Sequence, residues 1–196
     1  MGCLRFPAMQ TILFFGDSLT AGHGLARPAE ESMPALIQQK INAGSFQFEV
    51  VNAGLSGDTS AGGLRRLDYW LSRHIDIFVL ELGINDVLRG IPPAETQKNL
   101  QMIVDKVKAK YPKAKLAMMG MELPQYIPAA IVQQFRGIFR KVAEVNNMAF
   151  LPFFLQDVAG VAHLNLRDGI HPSAAGYKVI AERVWPVLKP LIEKQI

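Results

Sequence analysis

A chain of 196 residues, 49% hydrophobic and 19% charged, can fill one substantial core, is short for two domains and is not disordered. Its 21 basic and 17 acidic side chains leave a formal charge of +4 without any Lys/Arg block; Lys106, Lys108, Lys110, Lys113 and Lys115 read as a solvated helix face, so no nucleic-acid partner is expected. The lone cysteine, Cys3, excludes an internal disulfide and a multi-cysteine metal site, and no run reaches the roughly 18 apolar residues of a membrane span, so no stable membrane insertion is expected.

Residues 1–10 read as an N-terminal extension without the long apolar stretch of a secretory signal, and one domain is expected over 11–192. The chain thus reads as cytoplasmic, although a mature exported protein looks the same once its signal is removed. Residues 11–15 form an apolar run that predicts a first buried strand. A helix follows, with Ser32 as its cap and Met33, Leu36, Ile37 and Ile41 at helical spacing. A second strand is predicted over 46–51, then a helix carrying Leu64, Leu67 and Leu71. Residues 75–80 are the most strongly β-like, and Leu100, Ile103, Val104 and Val107 mark the helix after them.

A fourth strand is predicted over 115–119, followed by a helix with Phe135, Ile138, Phe139 and Val142 on one face. Residues 149–151 give a short fifth strand. The last helix starts near Ser173, carries Tyr177, Ile180, Val184 and Leu188, and is expected to kink at Pro186. Strand–helix alternation of this kind predicts an α/β fold with a five-stranded parallel sheet and helices on both faces. Only 152–172 lacks periodicity, and a connection that long in a small domain points to function.

Four segments follow predicted strands and therefore converge at one edge of a parallel sheet. They are Gly16-Asp17-Ser18-Leu19, Ser56-Gly57-Asp58-Thr59, Gly83-Ile84-Asn85-Asp86 and Asp168-Gly169-Ile170-His171-Pro172. Acyl transfer needs what they carry. A serine hydroxyl, Ser18, is a weak nucleophile until an imidazole, His171, accepts its proton, and Asp168 fixes the tautomer of that imidazole. The Gly57 N–H, the Asn85 amide and the Ser18 N–H are suited to hold a tetrahedral oxyanion.

Each segment alone also has a plain structural reading. Gly-Asp-Ser and Asp-Gly are turn sequences, Asp58 or Thr59 can cap the helix of Leu64, and Ser173 reads as a cap. Complementary chemistry in all four places favours the functional reading. His163 with Asp157 is a rival imidazole–acid pair, His23 a pocket-lining candidate, His74 a helix-ending residue and Glu81 a structural acid. Asp17, Asp86 and Asp168 lack the close spacing of a metal site, and no phosphate-binding glycine loop occurs, so neither metal nor cofactor is expected. Residues 151–155 read equally as acyl-chain surface or as core.

These motifs together resemble those of the SGNH hydrolases, also called GDSL esterases, in their single-domain bacterial thioesterase, lysophospholipase and arylesterase branch. The resemblance runs from about Thr11 to Leu191 and rests on 16–22, 57–60, 83–86 and 168–172. It implies a flavodoxin-like three-layer fold, Ser18 as nucleophile, Gly57 and Asn85 as oxyanion donors, and Asp168 with His171 completing a triad. Thr20 stands where a G-x-S-x-G elbow needs its second glycine, which separates this pattern from the α/β-hydrolases. A small-molecule ester or lipid substrate is therefore expected, with thioesters included. A carbohydrate O-deacetylase, an acyltransferase and a non-catalytic binding module remain the alternatives.

Overall fold

Strand β1 (Gln10–Gly16) has no polar side chain from Ile12 to Phe15, and those four side chains are fully buried, as a central strand covered on both faces requires. The computed structural model describes residues 9–123 and 129–193; of the extension expected at 1–10, residues 1–8 lie outside the described residues, whereas Gln10 already belongs to β1. Beside β1 lie β2 (Phe48–Gly54) on one side and β3 (Ile77–Glu81) on the other, followed by β4 (Lys115–Met119) and β5 (Ala149–Leu151). All pair in parallel, in the order β2-β1-β3-β4-β5, which is the flavodoxin-like order.

The chain leaves β1 towards β2 and returns past it to β3, so the connections diverge between β1 and β3. That switch point opens a crevice at the carboxyl ends of the two strands. Helix α3 (Met33–Ala43) packs with α8 (Ala174–Glu193), whereas α6 (Pro93–Lys110) packs with both α4 (Ser60–Trp70) and α7 (Ala129–Val145). The two groups follow from right-handed crossovers running in opposite directions, and they make the outer layers of the three-layer sandwich. Three short helices were not foreseen: α1 (Ser18–Ala21), α2 (Pro28–Glu31) and α5 (Ile84–Leu88). Each is about one turn, too short for a hydrophobic period to register.

β2 runs three residues beyond its predicted end. Its pairing with β1 continues through Asn52, Ala53 and Gly54, where backbone hydrogen bonding overrides turn-like composition. α8 stays helical through Pro186 and Pro190, and its buried Tyr177, Ile180, Val184 and Leu188 follow the predicted face. Ser32 stands at the start of α3 but makes no side-chain cap, while Thr59 caps α4 by accepting from the Gly62 N–H at 3.1 Å. His74 lies beyond α4, which ends at Trp70; its Nε2 meets Asp76 Oδ1 at 3.1 Å. The helix-ending role expected of it is therefore not the one it has.

Candidate active site

At the end of β1 the chain turns sharply, with Asp17 as the cap of α1 and Ser18 as its first residue. Asp17 Oδ1 accepts from the Leu19 N–H at 2.9 Å. Gly16 has no side chain for a physical reason: a Cβ there would collide with Thr20 Oγ1 and with Glu81. Beneath the turn, buried Glu81 accepts from Thr20 Oγ1 at 2.7 Å and from the Asp17 N–H at 3.2 Å. Tyr177 Oη donates to the Leu19 carbonyl at 2.8 Å. Burial pushes the Asp17 carboxyl up, with the Leu19 N–H opposing. Burial and then the nearby Asp17 charge push Glu81 well above its ordinary value.

The loop before α8 brings the imidazole back across 153 residues of sequence. It is closed by an antiparallel bridge between Asn165 and Pro172 and by the Leu166 N–H donating to the His171 carbonyl at 2.7 Å. Asp168 Oδ1 accepts from the backbone N–H groups of Ile170 and His171 at 2.9 and 3.0 Å, and Oδ2 lies 2.7 Å from His171 Nδ1. The His171 N–H, then the Ile170 N–H, then the ring hold Asp168 down at about 2. An ionised carboxylate only accepts, so Nδ1 carries the proton and Nε2 presents its lone pair. Ser18 Oγ stands 2.9 Å from that nitrogen. Serine, imidazole and carboxylate thus form one chain of hydrogen bonds.

The segments after β2 and β3 complete the same edge. Gly57 has φ +76°, a left-handed conformation that favours glycine, and neither its N–H nor that of Ser18 has an acceptor among the described residues. Arg89 Nη2 donates to the Gly57 carbonyl at 2.6 Å. Asn85 Nδ2 lies 2.9 Å from Asp17 Oδ2 and 3.0 Å from the Asp58 carbonyl, so both amide protons are engaged. Asp86 is buried and structural: it accepts from the Ser60 N–H at 2.8 Å, from Ser60 Oγ, and from Thr96 Oγ1 at 3.1 Å.

The rival pair is not made. Asp157 binds Arg183 Nη1 at 2.5 Å, and the His163 carbonyl receives the Ser173 hydroxyl at 3.2 Å. His23 packs against His171, ring centres 4.8 Å apart and planes tilted by 51°, and its Nδ1 meets Ser56 Oγ at 3.2 Å. Among the described residues no group of three His, Cys, Asp or Glu side chains is placed to hold a metal ion.

Comparison with known proteins identifies the assembly. Residues 14–179 match the model of the GDSL-like Lipase/Acylhydrolase family. This chain belongs to that family.

Esterase TesA of Pseudomonas aeruginosa is 40% identical to it, covering 97% of this chain and 96% of that one. The Escherichia coli protein named thioesterase 1/protease 1/lysophospholipase L1 is 37% identical over 96% of this chain and 88% of its own. Among solved structures, a psychrotrophic esterase from Pseudoalteromonas, inhibited by monoethylphosphonate, superposes with a TM-score of 0.85 at 34% identity, covering 94% and 99% of the two chains. As a family member of this kind, the chain is a serine ester hydrolase.

A cavity of about 900 Å³ opens beside Ser18 and His171. Its walls are mostly apolar: Leu19, Ile84, Leu88, Met121, Leu123, Phe153, Leu155 and Ile170, with Ser56, Asn85, Glu122 and His23, the pocket-lining candidate of the sequence, as polar exceptions. The stretch 151–155, read from sequence as acyl surface or core, divides between cavity wall and core. Phe153 and Leu155 line the cavity, whereas Phe154 is fully buried. Sequence reasoning passed over Arg66, whose guanidinium binds three separate acceptors at this edge. Its only signal is helical spacing, four residues from Gly62 and three from Gly63, on the face that packs inward.

Proposed function

We propose that the chain hydrolyses carboxylic esters and thioesters with an apolar acyl group, through an acyl-enzyme on Ser18. His171 Nε2 takes the hydroxyl proton as Ser18 Oγ bonds to the acyl carbon. The oxyanion is held by the Ser18 and Gly57 N–H groups, with Asn85 sharing a proton it now gives to Asp17 or the Asp58 carbonyl. As the tetrahedral centre collapses, the bond to the leaving oxygen or sulfur breaks and His171 returns the proton to it. Water then attacks the acyl-enzyme by the same route, freeing the acid and Ser18.

The observation that carries this reading is the 2.9 Å contact between His171 Nε2 and Ser18 Oγ, with the Asp168 carboxylate behind the ring. General-base assistance of this kind is worth about 100- to 10,000-fold in rate. The apolar walls and the 900 Å³ volume support an acyl chain longer than acetyl, since this is near the top of the range of about 300–1,000 Å³ for small-ligand sites. A chain-length panel of aryl esters run beside acyl thioesters tests it. Turnover rising from acetyl to medium chains is expected, with thioesters accepted. Acetyl esters preferred over all longer ones would contradict the acyl-site assignment.

A further inference from the structure

Arg66, on α4, ties together the carboxyl ends of β1 and β2 at the active edge. Its Nη2 donates to the Gly16 carbonyl at 2.9 Å, its Nη1 to the Ala53 carbonyl at 2.8 Å, and its Nε to Asp58 Oδ2 at 2.6 Å. Gly16 leads into Asp17 and Ser18; Ala53 lies near the end of β2; Asp58 follows Gly57. The Gly16 carbonyl also accepts from the Leu55 N–H at 3.0 Å, so one oxygen receives both the guanidinium and the Gly57 loop. That loop closes through the Asp58 N–H donating to the Leu55 carbonyl at 3.0 Å. The guanidinium lies 4.0 Å above the Phe15 ring, and its side chain is only 18% exposed.

The geometry points to Arg66 as a positioning residue that sets the Ser18 and Gly57 N–H groups at the spacing an oxyanion requires. It does not line the cavity. Its planar fork directs donors at three fixed acceptors at once, which a lysine ammonium, a single point charge, cannot reproduce. Glycine at 62 is part of the device, because a Cβ there would collide with Asp58 Oδ1 and push the carboxylate off the guanidinium. Asp58 in turn offers its carbonyl to Asn85, so a shift in Asp58 reaches the third donor. Arg66 thus acts on the backbone that carries the oxyanion donors and makes no hydrogen bond to the side chains of Ser18, His171 or Asp168.

This inference rests on ester hydrolysis at Ser18, and the test keeps the two apart. Steady-state kinetics on a soluble aryl ester are compared for wild type, Arg66→Lys, Asp58→Asn, Asn85→Ala and the Arg66→Lys/Asn85→Ala double variant. Displacing one oxyanion donor costs about 100- to 1,000-fold when complete, so Arg66→Lys should lower kcat by about 10- to 100-fold with KM within about threefold. The acid limb of its pH–rate profile should stay where it is in wild type. In the Asn85→Ala background the same lysine should cost markedly less, because both changes weaken one oxyanion site. Asp58→Asn should show the same kcat-specific loss, which decides the matter if Arg66→Lys does not fold. A kcat within about threefold of wild type for the folded variants, a loss seen in KM alone, or fully multiplicative costs in the double variant would overturn the positioning role. Absence of turnover by wild type would instead reject the ester-hydrolase reading beneath it.

Discussion

Asn85 Nδ2 lies 2.9 Å from Asp17 Oδ2, so the residue before the serine holds the amide expected to meet the oxyanion. Asp17 serves two donors at once, since its Oδ1 also takes the Leu19 N–H that fixes the start of α1. The acid of the Gly-Asp-Ser turn is therefore a bridge between the nucleophile and oxyanion sides. Asp17→Asn leaves one of those two donors without its carboxylate partner. We expect kcat to fall about 10- to 100-fold with little change in KM, as Asn85 loses its aim. Steady-state kinetics on a soluble ester check this, and a loss confined to KM would argue against the bridge.

Asp168 orients the His171 ring, and an amide in its place can donate as well as accept. Asp168→Asn lets the ring take the tautomer with its proton on Nε2, which faces Ser18 and can no longer accept. Turnover should drop by about 100- to 10,000-fold while the fold survives. Because its carboxyl is held at about 2, below the usual 3.8, Asp168 stays ionised as pH falls through the acid limb of activity. Its contribution to stability is complete above 3.8 and disappears only as pH falls towards 2. Activity lost on mild acidification is therefore not due to Asp168, and circular dichroism should show a folded protein across that limb.

Glu81 has the opposite sign. Its folded-state value is raised above 4.5, so the folded protein binds the proton more tightly than the unfolded chain does. Stability should therefore decline as pH rises from 4.5 through the raised value. Glu81→Gln removes that titration while an amide oxygen still accepts from Thr20 and the Asp17 N–H. Chemical denaturation from pH 4 to pH 9 should show a flatter profile for the variant than for wild type. Parallel profiles would mean that Glu81 does not titrate in this range.

The sheet was legible because its strands are apolar runs of about the right length, and residues 115–119 and 149–151 became β4 and β5 without adjustment. The turns that bear Ser18, Gly57, Asn85 and Asp168 were legible because strand ends in a parallel sheet share an edge. Less readable was anything carried by backbone acceptors. Arg66 looks like one more helix cation, since carbonyls at Gly16 and Ala53 leave no mark in the sequence. His74 was misread because α4 stops at Trp70, where a turn takes over whose Leu71 and Arg73 carbonyls share the single proton of Tyr111 Oη, at 2.9 and 2.6 Å. The double engagement of Asn85 is likewise a matter of geometry, invisible in an Asn-Asp pair.

Covalent trapping tests the account most directly. An aryl phosphonate ester should phosphonylate the wild-type chain once, on the peptide containing Ser18, with activity lost in proportion to labelling. Ser18→Ala should stay unlabelled, and His171→Ala should label far more slowly. Labelling at another residue, or undiminished labelling and turnover in Ser18→Ala, would contradict the assignment of Ser18 as the nucleophile.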